Sequence, residues 1–60
     1  MKPINVREYL KLVEELNELA VELLQQVNKP TKARNKKILE EIEDVERRLK
    51  PVKLFTTTAL

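Results

Sequence analysis

Val6, Tyr9, Val13, Leu16, Ala20, Leu23 and Val27 follow one another at alternating steps of three and four residues. That spacing sets all seven along one seam of an α-helix. Leu12 and Leu19 widen the seam on one side, and Leu10 and Leu24 widen it on the other. A two-stranded coiled coil needs only the seam. A stripe this broad calls for two or more neighbouring helices to cover it.

Local signals bound this first helix at about residues 6–27. Asn5 can cap it, with Glu8 three residues on to complete a capping box, and Ile4 and Tyr9 are placed as a hydrophobic staple. Asn28, which tolerates the left-handed conformation, and Pro30 mark its end. A second helix starts near Pro30 or Thr31, because proline is at home in a first turn. Its apolar beat is Ile38, Ile42, Val45 and Leu49, with Leu39 as a single shoulder, and Thr31 and Asn35 hold the earlier seam positions. Asn35 either fixes register as a polar seam residue or lies near the open end and meets water. Pro51 pushes Lys50 out of helical geometry, which puts the end of the second helix near residue 49.

A connection of roughly three residues forces the two helices antiparallel. The expected fold is therefore all-α: a helical hairpin in residues 1–50, about 6–27 and 31–49, followed by an extended C-terminal tail, 51–60. One hairpin cannot cover the broad stripe, so two are expected to pair into a four-helix bundle, a homo-oligomer that is a dimer in the simplest case. The interface residues expected for it are Tyr9, Leu12, Val13, Leu16, Leu19, Leu23, Leu24, Ile38, Ile42 and Val45. In the tail, Thr56, Thr57 and Thr58 favour extended structure. Leu54, Phe55 and Leu60 are its docking residues: Leu54 and Phe55 fold back over Ile4 and Tyr9, or the tail docks on a neighbouring subunit by strand addition, or it frays as a terminus.

Composition narrows the function. A chain of 60 residues buries only about 60% of its unfolded surface and is marginal alone. Disulfides, metals or oligomerisation usually rescue such chains. With no Cys and no His, thiolate or imidazole metal sites are out of reach, and oligomerisation remains. Ser, Trp and Gly are missing too. No phosphate-cradling glycine loop is available, nor an ordinary nucleophile–base pair. The expectation is a protein that is not an enzyme, has no cofactor and no metal, and does not contact a membrane. No apolar run approaches the ~20 residues of a membrane span, so a cytoplasmic or virion-enclosed place is expected. Carboxylates at helical spacing, Glu15, Glu18 and Glu22 or Glu40 and Glu43, lie off the predicted seam and read as surface groups.

Charge is uneven. Residues 1–28 carry three basic and five acidic groups, and residues 29–60 carry nine basic and five acidic. Lys29, Lys32, Arg34, Lys36 and Lys37 gather around the interhelix turn without an intervening acid. Folded as a hairpin, the chain has an acidic waist, with Glu14, Glu15 and Glu18 level with Asp44, Glu43 and Glu40. Its far end collects Lys2, Arg7, Arg47, Arg48, Lys50 and Lys53. Cations at the start of a helix oppose its macrodipole, at about 0.3–1 kcal/mol each. A bound phosphate there removes the conflict, so nucleic-acid phosphates are the expected ligand of the five turn cations. An assembly subunit, for example a virion component joined to neighbouring subunits by its helices and tail, and a regulatory partner-binding hairpin are the alternatives.

The segment from Asn28 to Lys50 resembles part of the small histone H1-like (Hc1-type) helical-hairpin proteins of bacteria and phages. The resemblance rests on Asn28, Lys29, Lys32, Ala33, Arg34 and Lys37, with Leu39 and Ile42 continuing the apolar pattern. It implies a hairpin that binds DNA without sequence preference through the basic turn. The chain departs from that pattern in having no Lys-rich tail and in placing five acids directly after the basic cluster.

Overall fold

The computed structural model describes residues 6–60. Two helices, α1 (Val6–Asn28) and α2 (Lys32–Ala59), pack against each other as an antiparallel hairpin, and the described residues contain no strand. The expected capping box and staple involve Ile4 and Asn5, and the expected basic far end includes Lys2; these three lie outside the described residues.

Side chains rather than a left-handed residue close the turn. Asn28 stays helical, and no described residue has positive φ. This corrects the expectation of a left-handed cap at Asn28. Lys29 N–H still reaches the Gln25 carbonyl at 2.8 Å, continuing the helical bond pattern one residue past α1. Pro30 then disfavours the α region at Lys29. Gln26 holds the two ends together: its Oε1 accepts from Thr31 N–H at 3.0 Å, and its Nε2 donates to the Thr31 carbonyl at 2.9 Å and to Asn35 Oδ1 at 2.7 Å. Thr31, extended at φ −141° and ψ 152°, caps α2 by accepting from Arg34 N–H at 3.3 Å. Asn35 therefore has a defined job at the turn, as an anchor for Gln26.

α2 does not stop at Pro51. It runs on to Ala59, so residues 51–59 are helical rather than an extended tail. An interior proline removes one helical hydrogen bond and crowds the carbonyl four residues back, at about 3 kcal/mol. Contacts with α1 oppose that cost. Pro51 and Val52 are half-buried, and Tyr9 Oη lies 3.0 Å from Thr56 Oγ1 in a hydrogen bond. The β-branched threonines adapt as well, since Thr58 Oγ1 donates to the Leu54 carbonyl at 2.7 Å, a bond available only within a helix. Leu54 and Leu60 are 64% and 102% exposed and Phe55 is 38% exposed; Tyr9 meets Thr56, and Ile4, the other residue expected beneath the tail, lies outside the described residues.

The hairpin is a rod of 47 × 15 × 15 Å. Its radius of gyration of 14.2 Å exceeds the about 10 Å of a compact domain this long. Its interior is thin. Val45 is the one buried hydrophobic residue among those described, and the other buried residue is Glu41.

Candidate functional site

The line of α1 turned toward α2 is Glu8, Leu12, Glu15, Leu19, Glu22 and Gln26, all half-buried. The matching line of α2 is Arg34, Ile38, Glu41, Val45, Arg48 and Val52, buried or half-buried. Both lines step alternately by three and four, so both are seams. The α1 seam, however, lies one residue short of the apolar heptad. One residue is 100° of rotation, so the broad stripe stands a quarter turn away from α2.

On an antiparallel partner the same one-residue step moves toward the same side of the hairpin. The Tyr9–Thr56 hydrogen bond joins the two shifted lines there. That side is an open apolar face. From α1 it carries Val13, Leu16, Leu23 and Val27, which are 48%, 45%, 47% and 78% exposed, together with Ala20. From α2 it carries Leu39 and Leu49, also exposed, and the half-buried Ile42. Leu10 and Leu24 continue it around the back of α1. The ten residues expected at an oligomer interface thus divide. Val45 is buried inside the hairpin, Tyr9, Leu12, Leu19, Ile38 and Ile42 are half-buried, and Val13, Leu16, Leu23 and Leu24 are open.

The basic turn also divides. Lys29, Lys32 and Lys36 are exposed, Arg34 is half-buried on the α2 seam, and the first turn of α2 holds no acid. The ion pairs among the described residues are Lys11–Glu8, Lys37–Glu41 and Arg47–Asp44. Lys37 therefore belongs to the middle of the rod, with Nζ 3.1 Å from Glu41 Oε1.

Acidic groups of both helices meet at mid-rod; of those read as surface groups, Glu18, Glu40 and Glu43 are exposed, whereas Glu15 and Glu22 are half-buried on the seam. Glu15 is half-buried and Glu41 is 4% exposed, both on the seam. One carboxylate oxygen each from Glu15, Glu18 and Glu41 lies within 4.8 Å of the others. Oε2 of Glu15 and Oε2 of Glu41 are buried without a hydrogen-bond partner. A hydrogen bond to Glu41, and then repulsion from Glu15 and Glu41, raise the Glu18 carboxyl above the usual carboxylate range. With both carboxylates ionised, the Glu41 oxygen has no donor; protonating Glu18 supplies one. The Glu41 carboxylate in turn raises the Lys37 ammonium through its hydrogen bond and its charge. An open groove of about 400 Å³ reaches this cluster between Asn17, Glu18, Val21, Glu22, Lys37 and Glu41. Sequence reasoning missed Glu41 because an apolar-only search for the seam passes over it. Its three-residue offset from Ile38 and four-residue offset from Val45 were the available signal.

Among the described residues, no helix is long and apolar enough to cross a membrane. No protein-family model, curated protein or solved structure matches this chain.

Proposed function

We propose that this chain is a non-enzymatic assembly protein whose hairpins self-associate through the open face of Val13, Leu16, Ala20, Leu23 and Val27, in the simplest case as a dimeric four-helix bundle. The observation that carries this reading is the inversion of the hairpin. Among the described residues the one buried hydrophobic residue is Val45, while thirteen large hydrophobic side chains stand exposed. Soluble monomers rarely leave a contiguous apolar patch beyond a few hundred Å² uncovered. A core this small does not offset the entropy of ordering the chain, about 1–2 kcal/mol per residue for the backbone alone. A second copy is the partner the sequence always supplies. It brings the same two-fold self-complementary stripe, with Leu39, Ile42 and Leu49 at its margin. Sedimentation equilibrium and helix melting over a range of concentrations test this. A dimer or higher oligomer with a concentration-dependent Tm is expected. A stably folded monomer at micromolar concentration, with a fixed Tm, sinks the reading.

A second reading, contact with nucleic-acid phosphates, is favoured by one observation. Lys29, Lys32, Arg34 and Lys36 take part in none of the ion pairs among the described residues, and no acid balances them in the first turn of α2. Anisotropy of a short random duplex, titrated with salt, should then show log-linear weakening with a slope matching three or four released counterions. Substituting Lys29, Lys32 and Lys36 by Gln should flatten it. Absence of binding at low salt leaves assembly as the function.

A further inference from the structure

We propose that Glu15, Glu18 and Glu41 form a binding site for one hard divalent cation of the calcium or manganese class, tying α1 to α2 at mid-rod. Three oxygens from two helices within 4.8 Å of one another match the span across an ion that holds its oxygens at about 2.3–2.6 Å. Glu41 supplies the independent observation. The residue is 4% exposed, the ion pair with Lys37 is made through Oε1, and Oε2 is buried without a hydrogen-bond partner. Oε2 of Glu15 is in the same state. Leaving such oxygens unsatisfied is costly, and a cation satisfies both at once.

Charge and access agree. Three carboxylates against the one ammonium of Lys37 leave a net charge of about −2 when all are ionised, which one dication cancels. Glu22 and Glu40 add negative charge nearby, both acting on Lys37. Glu18 is exposed, and the groove beside it opens to solvent, so an ion can enter and keep water molecules in its remaining positions. The donor set is all oxygen, which suits hard ions such as calcium and manganese. The site lies on the flank opposite the open apolar face, so it stands or falls independently of self-association. A proton shared by Glu18 and Glu41 is the competitor, and a cation must displace it.

The test uses the full chain, stripped of metal, at neutral pH. Mn²⁺ alone is added and free Mn²⁺ is read by electron paramagnetic resonance. One Mn²⁺ per chain is expected to bind, to be displaced by Ca²⁺, and to raise Tm by about 6–11 °C at ten times its Kd. Binding should weaken as pH falls through the range where Glu18 titrates. E41Q, checked for helix content by circular dichroism, should lose the ion; E18Q should bind at least about tenfold more weakly; and E43Q, at an exposed α2 position, should keep it. If wild type binds no Mn²⁺ at millimolar concentration, or E41Q binds it as wild type does, the proposal is overturned. An equal Tm rise from KCl at matched ionic strength overturns it as well, because screening alone then accounts for the effect.

Discussion

The seam between the helices and the face beside it are made from different materials. Along the seam, Leu12, Leu19, Ile38, Val45 and Val52 alternate with Glu15, Glu22, Glu41, Arg34 and Arg48. Along the α1 part of the face, Val13, Leu16, Ala20, Leu23 and Val27 run without a polar residue. The better core material is outside. In a lone hairpin that arrangement wastes the strongest driving force the sequence holds, roughly 25 cal/mol per Å² of apolar area buried. In an assembly it makes sense. The mixed seam suits a lateral contact at the edge of a bundle, and the pure face suits its centre.

The sharpest way to break this comparison is to make the face as polar as the seam. L16E combined with L23E places two carboxylates at the middle of the stripe. Each substitution forfeits about 1.5–3 kcal/mol of apolar burial and adds the cost of a charge. At about 1.4 kcal/mol per decade, the self-association constant should fall by at least about 100-fold. Sedimentation equilibrium reads this directly, and circular dichroism should show helix lost along with association. A double variant that keeps the wild-type oligomer would mean that the face is not the contact.

The seam itself can be lengthened. P51A restores the missing N–H beneath Val52 and removes the proline clash, and should stabilise the protein by up to about 3 kcal/mol. Urea denaturation measures the gain. An unchanged midpoint would mean that residues 51–59 do not fold with the rest, and that the seam ends before Val52.

The seam can also be made more like the face. E41L replaces its buried carboxylate by a hydrocarbon of similar volume. Removing a buried charge in favour of packed apolar atoms is often neutral or stabilising by about 1–4 kcal/mol. Lys37, left behind, is 53% exposed and can return to water. A gain of about 1–2 kcal/mol is expected in metal-free buffer, the lower part of that range because Lys37 loses its partner. A clear loss would show that the carboxylate stabilises the hairpin without an ion.

Much of the fold was legible in the sequence because its signals are local. The bounds of α1 and the three-residue turn follow from apolar spacing, Pro30 and Thr31. The end of α2 was not legible. Pro51 and three consecutive threonines argue locally against helix, whereas the Tyr9–Thr56 contact that opposes them joins residues 47 apart. The stripe was legible as a stripe, but not its rotation. Which line of α1 meets α2 depends on pairing Leu12 and Leu19 with Ile38 and Val45 across the hairpin, and both flanks of the heptad offered leucines. The turn cations were read as a group because they adjoin in sequence; Lys37 leaves the group because its carboxylate partner is one helical turn on. The waist was foreseen by level, yet only a rotation of α2 decides that Glu41, rather than Glu40 or Glu43, goes inside.

A gentler perturbation keeps every residue and changes only the charge on the seam. The Glu18 carboxyl stands above its usual value of 4.5 because of Glu41, then Glu15. Protons therefore bind the folded chain more tightly than the unfolded one at this site. Its contribution to stability is complete below pH 4.5 and is lost as pH rises through the raised value. Lys37 is raised above 10.5, so its contribution is intact throughout that range and declines only in strong alkali. Facing these two are Glu15 and Glu22 from α1 and Glu40 and Glu41 from α2, none of which supplies a compensating cation. The Glu18 contribution should thus favour folding as pH falls from neutral toward 4.5, opposite to the sign of a salt-bridged carboxylate. Urea midpoints for wild type and E18Q, measured in chelator at several pH values, isolate it. The stability difference between the two should change in favour of wild type on acidification. A difference independent of pH would mean that Glu18 titrates as a free surface acid, and that the carboxylates of the seam do not share a proton.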